Sequence, residues 1–473
     1  MRRLSVTTLL LAVGLSSPRA RAQVDVASKN ALGVEEVVMS AVTKHPAIDA
    51  AKADKAIAEA EVLSAYGAFD PVWRTRSVFV PVGYYDSKRL DTLLVQPTTL
   101  GGTNVFAGYR IGAGNFPIYD GKLETLGFGE VRAGVSVPLW RDLMIDSRRA
   151  ALWSAKIAPR LADAGVALQK MEVARVAAIR YWNWVEAGRT LAIAKDLLDL
   201  AEKRDAQLGE RVTKGDLAAI EQLDNQRTIL GRKGTVITVE RAYLAAAYEL
   251  SIFYRDAAGA TKTPTESQVP SAMPEPQALA VLDVNDVVRK AIAKRPDLIR
   301  LVAVQEQIAL EGELAANGAK PAIDFQAIVS KDFGPGPGYL RPTEVELAIV
   351  IDIPLFARTA NGKLAAANAK TEKVAAQKKL LEDRIAADVK DALAAEAAAR
   401  ARVSLARTEL ALAKKLADAE RDAFALGTST MLIVNLREQA VAEAAVREVV
   451  ALADHQRAVA IYRATTATQT GVL

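Results

Sequence analysis

The chain has 473 residues, enough for two or three globular domains, and is 51% hydrophobic but only 5% aromatic. Its apolar content is mostly Ala, Leu and Val, which suits long, closely packed helices rather than one thick core. The net charge of +5 is spread over basic and acidic residues interleaved at helical spacing, a solvated surface rather than a nucleic-acid interface; the lack of cysteine excludes disulfides and a cysteine-linked lipid anchor.

Met1, Arg2 and Arg3 precede an apolar stretch from Leu4 to Leu15 and then Ala20-Arg21-Ala22. This reads as a secretory signal over residues 1–22, cut before Gln23, because the apolar run is too short to span a membrane. No later segment has a charge-free run of transmembrane-helix length. An exported chain of this kind that enters a membrane must do so as strands.

Residues 23–256 read as a first structural unit. A short amphipathic helix runs from about Val34 to Lys44, and Pro46 opens a second helix reaching about Tyr66, since proline loses no needed hydrogen bond at a helix start. At Phe69-Asp70-Pro71 the period changes, and Val72 to Val80 reads as a strand with Thr75, Ser77 and Phe79 on one side. Residues 83–127 form an insert rich in Gly, Pro and Tyr, assigned no fold beyond an extra strand at Asn104 to Ile111. A clearer strand follows at about 128–138, where Val131, Ala133, Val135 and Val137 alternate with Arg132, Gly134 and Ser136. A long helical hairpin is expected over about 145–256. Its first arm, Ile145 to Lys214, is interrupted by Pro159, Gly165 and Gly188; the chain turns at Gly215 and returns through Tyr254. Residues 257–281 form a linker, rich in Pro, Thr and Ser between Thr261 and Pro276.

The second unit, 282–473, rewrites the first. Leu32, Val34, Val37, Val38, Ala41, Lys44, Pro46 and Ile48 recur 250 positions later as Leu282, Val284, Val287, Val288, Ala291, Lys294, Pro296 and Leu298. A period this long means duplication, not a solenoid. A strand pair is expected at about 322–331 and 344–354, around Gly334-Pro335-Gly336-Pro337-Gly338. Ile323, Phe325, Ala327 and Val329 form one stripe; Val345, Leu347, Ile349, Ile351 and Ile353 form the other, alternating with Glu346, Ala348, Val350 and Asp352. Either strand pair alone also fits a half-buried soluble hairpin. Ile353-Pro354-Leu355-Phe356 echoes Val137-Pro138-Leu139-Trp140. Lys363 to Leu426 then contains neither glycine nor proline, a helix of about 95 Å at 1.5 Å per residue. Leu381, Ile385, Val389 and Leu393 mark an apolar stripe, which Leu405, Leu412 and Leu416 are expected to continue. Gly427 turns the chain, and a helix returns through Tyr462.

Four amphipathic strands flanked by helices longer than a bilayer is thick imply a shared barrel. Open sheet edges are not tolerated in lipid, and four strands are fewer than the eight of the smallest known barrels. Two copies would give eight strands and a filled interior; three would give twelve and a lumen. The helices are too charged to lie in the membrane and must project from it.

This order resembles the TolC-like outer membrane efflux proteins: short helix, Pro-started helix, strands, Val-Pro-Leu-aromatic, long helix, Gly turn and returning helix, all repeated. The resemblance covers about Ala31 to Thr465. It rests on the twin starts at Leu32 and Leu282, the Pro138 and Pro354 junctions, Tyr181-Trp182, and the turns Arg211-Val212-Thr213-Lys214-Gly215 and Phe424-Ala425-Leu426-Gly427-Thr428-Ser429. It implies a mostly α fold with membrane β: a homotrimer with a helical tunnel through the periplasm and four strands per chain in a shared twelve-stranded barrel. The implied function is an outer membrane channel of a tripartite efflux pump or type I secretion system. Arg211, Gly215, Phe424 and Gly427 would meet a periplasmic adaptor, itself coupled to an inner-membrane pump. Pro138 and Pro354 would mark the change from strand to helix. Family members ring the aperture with acids just past the tip glycines. Here Glu221 and Asp224 occupy those places in the first unit, but Ile433 and Leu436 in the second, so any ring is thinner. The plainer readings are a solvated face for Glu221 and Asp224, and routine helix-end chemistry for Arg211 and Phe424.

The remaining aromatic residues and histidines are expected to be structural. Trp73, Trp140 and Phe356 sit at strand ends, suited to a membrane-interface belt, although helix-to-barrel core packing is preferred for Trp140 and Phe356. Trp182 and Trp184 cannot share a helix face, so at least one packs between helices. With His45 and His455 as the only histidines and no cysteine, no metal site is expected. Nucleotide loops, Gly-x-Ser-x-Gly and His-Glu-x-x-His are absent from the sequence, so no catalytic or cofactor residue is assigned. The rival reading is a periplasmic coiled-coil adaptor or scaffold, which would not need lipid-length alternating strands in both units.

Overall fold

The computed structural model describes residues 31–116, 123–279 and 283–468; the signal assigned to residues 1–22 and the repeat position Leu282 lie outside the described residues. Two proline-started helix pairs open the two repeats. α1 (Val34–Lys44) is followed by α2 (Pro46–Tyr66), and α5 (Val284–Lys294) by α6 (Pro296–Asn317). A residue before proline is driven out of the helical region. His45 (φ −75°, ψ 130°) and Arg295 (φ −68°, ψ 121°) are extended accordingly, so each chain bends between its two helices.

The long helices are α3 (Ser147–Thr213) and α7 (Arg358–Ala425), of 67 and 68 residues, with returning partners α4 (Ala219–Ser251) and α8 (Met431–Thr465). At 1.5 Å per residue each long helix measures about 100 Å. α3 runs unbroken through Pro159 and Gly188, where interruptions were expected. Gly188 has its own reason: a Cβ there would meet Val269 Cγ2 at 2.6 Å, so the linker packs directly onto the helix backbone. α2 and α4 lie along α3, α6 and α8 lie along α7, and α3 also meets α6 and α8, which sets the two hairpins side by side.

The main core forms where α3 meets α1 and α4: Tyr181, Trp184, Val185 and Leu191 pack with Val37, Ala41, Ile48, Tyr243 and Leu250. Trp182 and Trp184 are both buried, at 5% and 0% exposure. The Tyr181 hydroxyl donates to the Leu32 carbonyl at 2.7 Å, and burial pushes its pKa up. The smaller core of the second repeat joins Ala291 and Leu298 to Ile385 and Val389. The stripe on α7 does not continue through Leu405, Leu412 and Leu416, which are exposed. Burial follows Ala392, Glu396, Ala399, Val403, Ala406 and Leu410 instead. At about 100° per residue, position 405 lies roughly 200° around the helix from position 385.

The sheet corrects the expected four strands. It has six, all antiparallel, in the order β1 (Val72–Val80), β2 (Ser87–Pro97), β3 (Asn104–Gly114), β4 (Glu130–Pro138), β5 (Ala322–Asp332) and β6 (Glu344–Asp352). The insert supplies a hairpin, β2–β3, which separates β1 from β4.

The strands join the helices through a hydrogen-bonded junction. Asp146 caps α3, accepting from Arg148 N (2.8 Å) and Arg149 N (3.0 Å). Buried Asn317 donates to Asp142 Oδ1 and to the Ile145 carbonyl, both at 2.8 Å. The β2–β3 turn seats on this junction at Gly102 (φ +70°), where a Cβ would lie 2.6 Å from the Asp142 carbonyl. Pro138 ends β4 opposite Asp324, and Pro354 falls between β6 and α7. Trp140 and Phe356, preferred above as core residues, are 51% and 73% exposed on the single chain. Both follow the ends of their strands, outside the packed helix interfaces, and Phe356 instead carries the Arg358 guanidinium 5.0 Å above its ring.

Candidate functional site

Strand register sorts every side chain of the sheet onto one of two faces. Residues paired across an antiparallel ladder point the same way. Following the pairs from β1 to β6, one face carries Trp73, Thr75, Ser77 and Phe79; Leu90, Thr92 and Leu94; Val105, Ala107, Tyr109 and Ile111; Val131, Ala133, Val135 and Val137; Ile323, Phe325, Ala327 and Val329; and Val345, Leu347, Ile349 and Ile351. These residues are uncharged; two lysines share the face at the end away from the helices, Lys88 paired with Phe79 and Lys331 paired with Val131. The opposite face holds Arg74, Arg76, Arg89, Asp91, Arg110, Glu130, Arg132, Asp324, Glu346 and Asp352. Ion pairs cross it from Arg110 to Glu130 at 2.5 Å and from Arg132 to Asp91 at 2.7 Å. An apolar outer face over a charged inner face is the pattern of a strand wall between lipid and water. Among the described residues no helix is long and apolar enough to cross a membrane.

The other end of the molecule is built by the two helix turns. Both close by the same device: Asp216 N donates to the Arg211 carbonyl and Thr428 N to the Ala423 carbonyl, each at 2.9 Å, with Gly215 at φ +82° and Gly427 at φ +77°. This is the glycine-dependent helix stop in which the backbone turns left-handed to satisfy the last carbonyls. The structure brings Arg211 and Phe424 together, with the guanidinium 5.7 Å from the ring centroid. Leu208, Leu217, Met431 and Val434 pack with Phe424, so the two tips form one unit.

Glu221 has a specific partner. Its Oε2 accepts from Met431 N at 2.9 Å, at the start of α8, whose own N-cap Thr430 provides no side-chain bond. A carboxylate at that position satisfies an orphan N–H and complements the positive end of the helix. Asp224 stands 4.0 Å from Arg227 on its own helix.

Behind the tips lies a buried ionic cluster that no sequence spacing announced. Glu438 on α8 is 1% exposed and accepts from Arg204 of α3 (3.0 Å), Arg232 of α4 (3.3 Å) and Arg421 of α7 (3.2 Å). Four long helices therefore share one carboxylate. Burial pushes its pKa up, but Arg204, Arg421 and Arg232 outweigh burial and hold it below its ordinary value. Arg232 also donates to the Leu197 carbonyl at 2.6 Å; its own pKa is lowered by burial. His455 faces Glu396 at 3.2 Å, both buried, and His45 stacks on Phe253. Among the described residues no group of three or more His, Asp or Glu is placed to hold a metal ion.

No protein-family model matches the sequence, and no curated protein does. Solved structures do match. The outer-membrane channel OprN superposes with a TM-score of 0.65 at 13% identity, over 92% of this chain and 90% of that one. The open state of the Neisseria gonorrhoeae MtrE outer membrane channel gives 0.64 at 14%, over 92% and 91%. The Campylobacter jejuni CmeC outer membrane channel gives 0.63 at 10%, over 92% and 85%. The fold is that of the TolC-like outer membrane channels. Within this TolC-like fold the described chain has two poles, an amphipathic sheet and a fused pair of helix tips, joined by helices about 100 Å long.

Proposed function

We propose that the chain is an outer membrane channel-tunnel of a tripartite efflux pump or a type I secretion system. It would work as a homotrimer, passively conducting what an inner-membrane pump delivers through a periplasmic adaptor. The observation that carries this reading is the mostly apolar face running across six strands, charged only at Lys88 and Lys331 at the end away from the helices, attached to helices too polar for a membrane. A periplasmic adaptor or scaffold would gain nothing from such a face, which would expose Val345, Leu347, Ile349 and Ile351 to water.

In this reading Pro138 and Pro354 mark the level where the outer membrane ends and the helical tunnel begins. The tips at Arg211, Gly215, Phe424 and Gly427 meet the adaptor. The gate lies beside them, where Glu221 and Asp224 follow the first tip and Glu221 links α4 to α8. Opening requires helices to part at the tips, and the link from Glu221 to Met431 is one of the contacts that would have to yield.

Fractionation tests the reading directly. Heat-resistant trimers in the outer membrane support the channel, and a monomeric soluble periplasmic pool refutes it. Single-channel recording tests the gate: Glu221→Ala and Asp224→Ala should weaken block by divalent cations, and unchanged block in both variants removes these residues from the aperture.

A further inference from the structure

The added β2–β3 hairpin is paired to the rest of the sheet along both of its strands. β2 pairs with β1 over nine positions from Val72↔Val95 to Val80↔Ser87, and β3 pairs with β4 from Asn104↔Ser136 to Arg110↔Glu130. On the charged face, Arg132 of β4 reaches across β3 to Asp91 of β2, passing Gly108, its own ladder partner. Phe106 of β3 covers Gly134 of β4 so closely that a Cβ on the glycine would lie 2.5 Å from its ring. The hairpin's turn is anchored to the helix junction through Gly102, and Asn104 accepts from Arg148 at 2.9 Å. Its outward side chains Leu90, Thr92, Leu94, Val105, Ala107, Tyr109 and Ile111 continue the apolar face, and Lys88 stands at the rim away from the helices.

The two free edges complement each other. β1 and β6 end the strand order, and both are exposed along nearly their whole length. On the charged face β1 presents Arg74 and Arg76 with no acid, while β6 presents Glu346 and Asp352 with no base. An even number of strands makes β1 and β6 run in opposite directions. Joining β1 of one copy to β6 of the next therefore keeps the ladder antiparallel, keeps the same face outward and sets basic against acidic side chains. Joining β1 to β1 or β6 to β6 would oppose like charges.

We propose that the β2–β3 hairpin is part of the membrane wall, and that three copies joined β1 to β6 close an eighteen-stranded barrel with Arg74 and Arg76 against Glu346 and Asp352 at each seam. The inference rests on the trimeric channel reading above. With strands about 4.8 Å apart and tilted about 40°, eighteen strands enclose a backbone diameter of about 36 Å, against about 24 Å for twelve. The cross-section is roughly doubled. The constriction then lies at the helix tips rather than in the membrane, and the barrel admits cargo that a twelve-stranded wall would exclude.

The natural absence of cysteine makes paired cysteines a clean test in trimers extracted from the outer membrane. Thr75→Cys with Thr92→Cys, whose hydroxyls lie 3.1 Å apart, should form a disulfide within one chain. Ser77→Cys combined in turn with Leu347→Cys, Ile349→Cys and Ile351→Cys should yield covalent trimers in at least one register. Thr75→Cys with Ala133→Cys should not cross-link, because three strand spacings, about 14 Å, exceed the reach of a disulfide. Trimers in which Thr75→Cys joins Ala133→Cys would mean that the hairpin folds out of a twelve-stranded wall, and the proposal falls. It falls equally if trimers form but no β1–β6 pair links chains. If no membrane trimer forms in the unmodified protein, the channel reading itself has failed. Arg76→Glu should lower the heat resistance of the trimer, and Glu346→Arg added to it should restore that resistance; a neutral Arg76→Glu would remove the seam pairing.

Discussion

Replacing Glu438 by alanine should loosen the tip end of the helical body while leaving the sheet intact. The carboxylate is 1% exposed and neutralises a cluster in which Arg232 is itself 5% exposed. Removing one partner from a buried ion pair typically costs about 3–5 kcal/mol, because the remaining charge stays desolvated and unpaired. After Glu438→Ala, Arg232 would keep the Leu197 carbonyl, Arg204 would keep Asn435 at 3.1 Å and Arg421 would keep Asp418 at 2.8 Å, so the lower end of that range, about 3 kcal/mol, is expected. Hydrogen exchange of amides in α4 and α8 near Arg232 and Glu438 reads the local opening free energy, and 3 kcal/mol corresponds to exchange about 150-fold faster. Glu409→Ala is the control: its pair with Arg447 at 2.8 Å is half exposed on both sides and should be worth no more than about 0.5 kcal/mol. Exchange accelerated less than about threefold by Glu438→Ala, or equally by the control, would refute the view that this carboxylate holds the four helices together.

The same group sets an acid limit. The folded-state pKa of Glu438 lies below its ordinary 4.5, so the stability it contributes is complete above that value and is lost as pH falls through the folded-state pKa. Local exchange near the cluster should rise only as pH falls below the ordinary 4.5 and not between pH 5 and 8, and Glu438→Ala should abolish that acid dependence. Gly427→Ala forces an alanine to φ +77° and should destabilise the second tip by about 1 kcal/mol, read as faster exchange in the last turn of α7; no change would mean that the turn adopts another geometry. Leu347→Arg places a charge in the middle of the uncharged face of β6. It should cost about 2–4 kcal/mol of membrane insertion, seen as loss of outer membrane trimers, and normal insertion would turn that face away from lipid.

Much of the fold could be read from the residues because its signals are long and repeated. Proline after a short amphipathic helix ended α1 and α5, and a run without glycine or proline gave α7 to within a few residues at each end. β4, β5 and β6 announced themselves by strict alternation. β2 did not, because Leu93 and Val95 put apolar side chains on its charged face, and β3 is broken up by Gly108 and Gly112, which serve close packing rather than alternation. The two tips were visible as glycines after long helices, and Arg211 and Phe424 do meet. The cluster around Glu438 was not legible: its members lie on four helices, from position 204 to position 438, and only the packing of both hairpins brings them together. The stripe through Leu405 was misread for a geometric reason, since five and a half turns of helix separate it from Ile385.

The bond from Glu221 to Met431 has a consequence for how the duplicated chain has diverged. The helix that opens the last tenth of the protein is finished by a residue from the first half, and the reciprocal position holds Ile433, which has no carboxylate to give back. The two halves have thus stopped being interchangeable parts. A chain assembled from two copies of the second half would leave its returning helices without that closing carboxylate, and only the pairing of unlike halves supplies it.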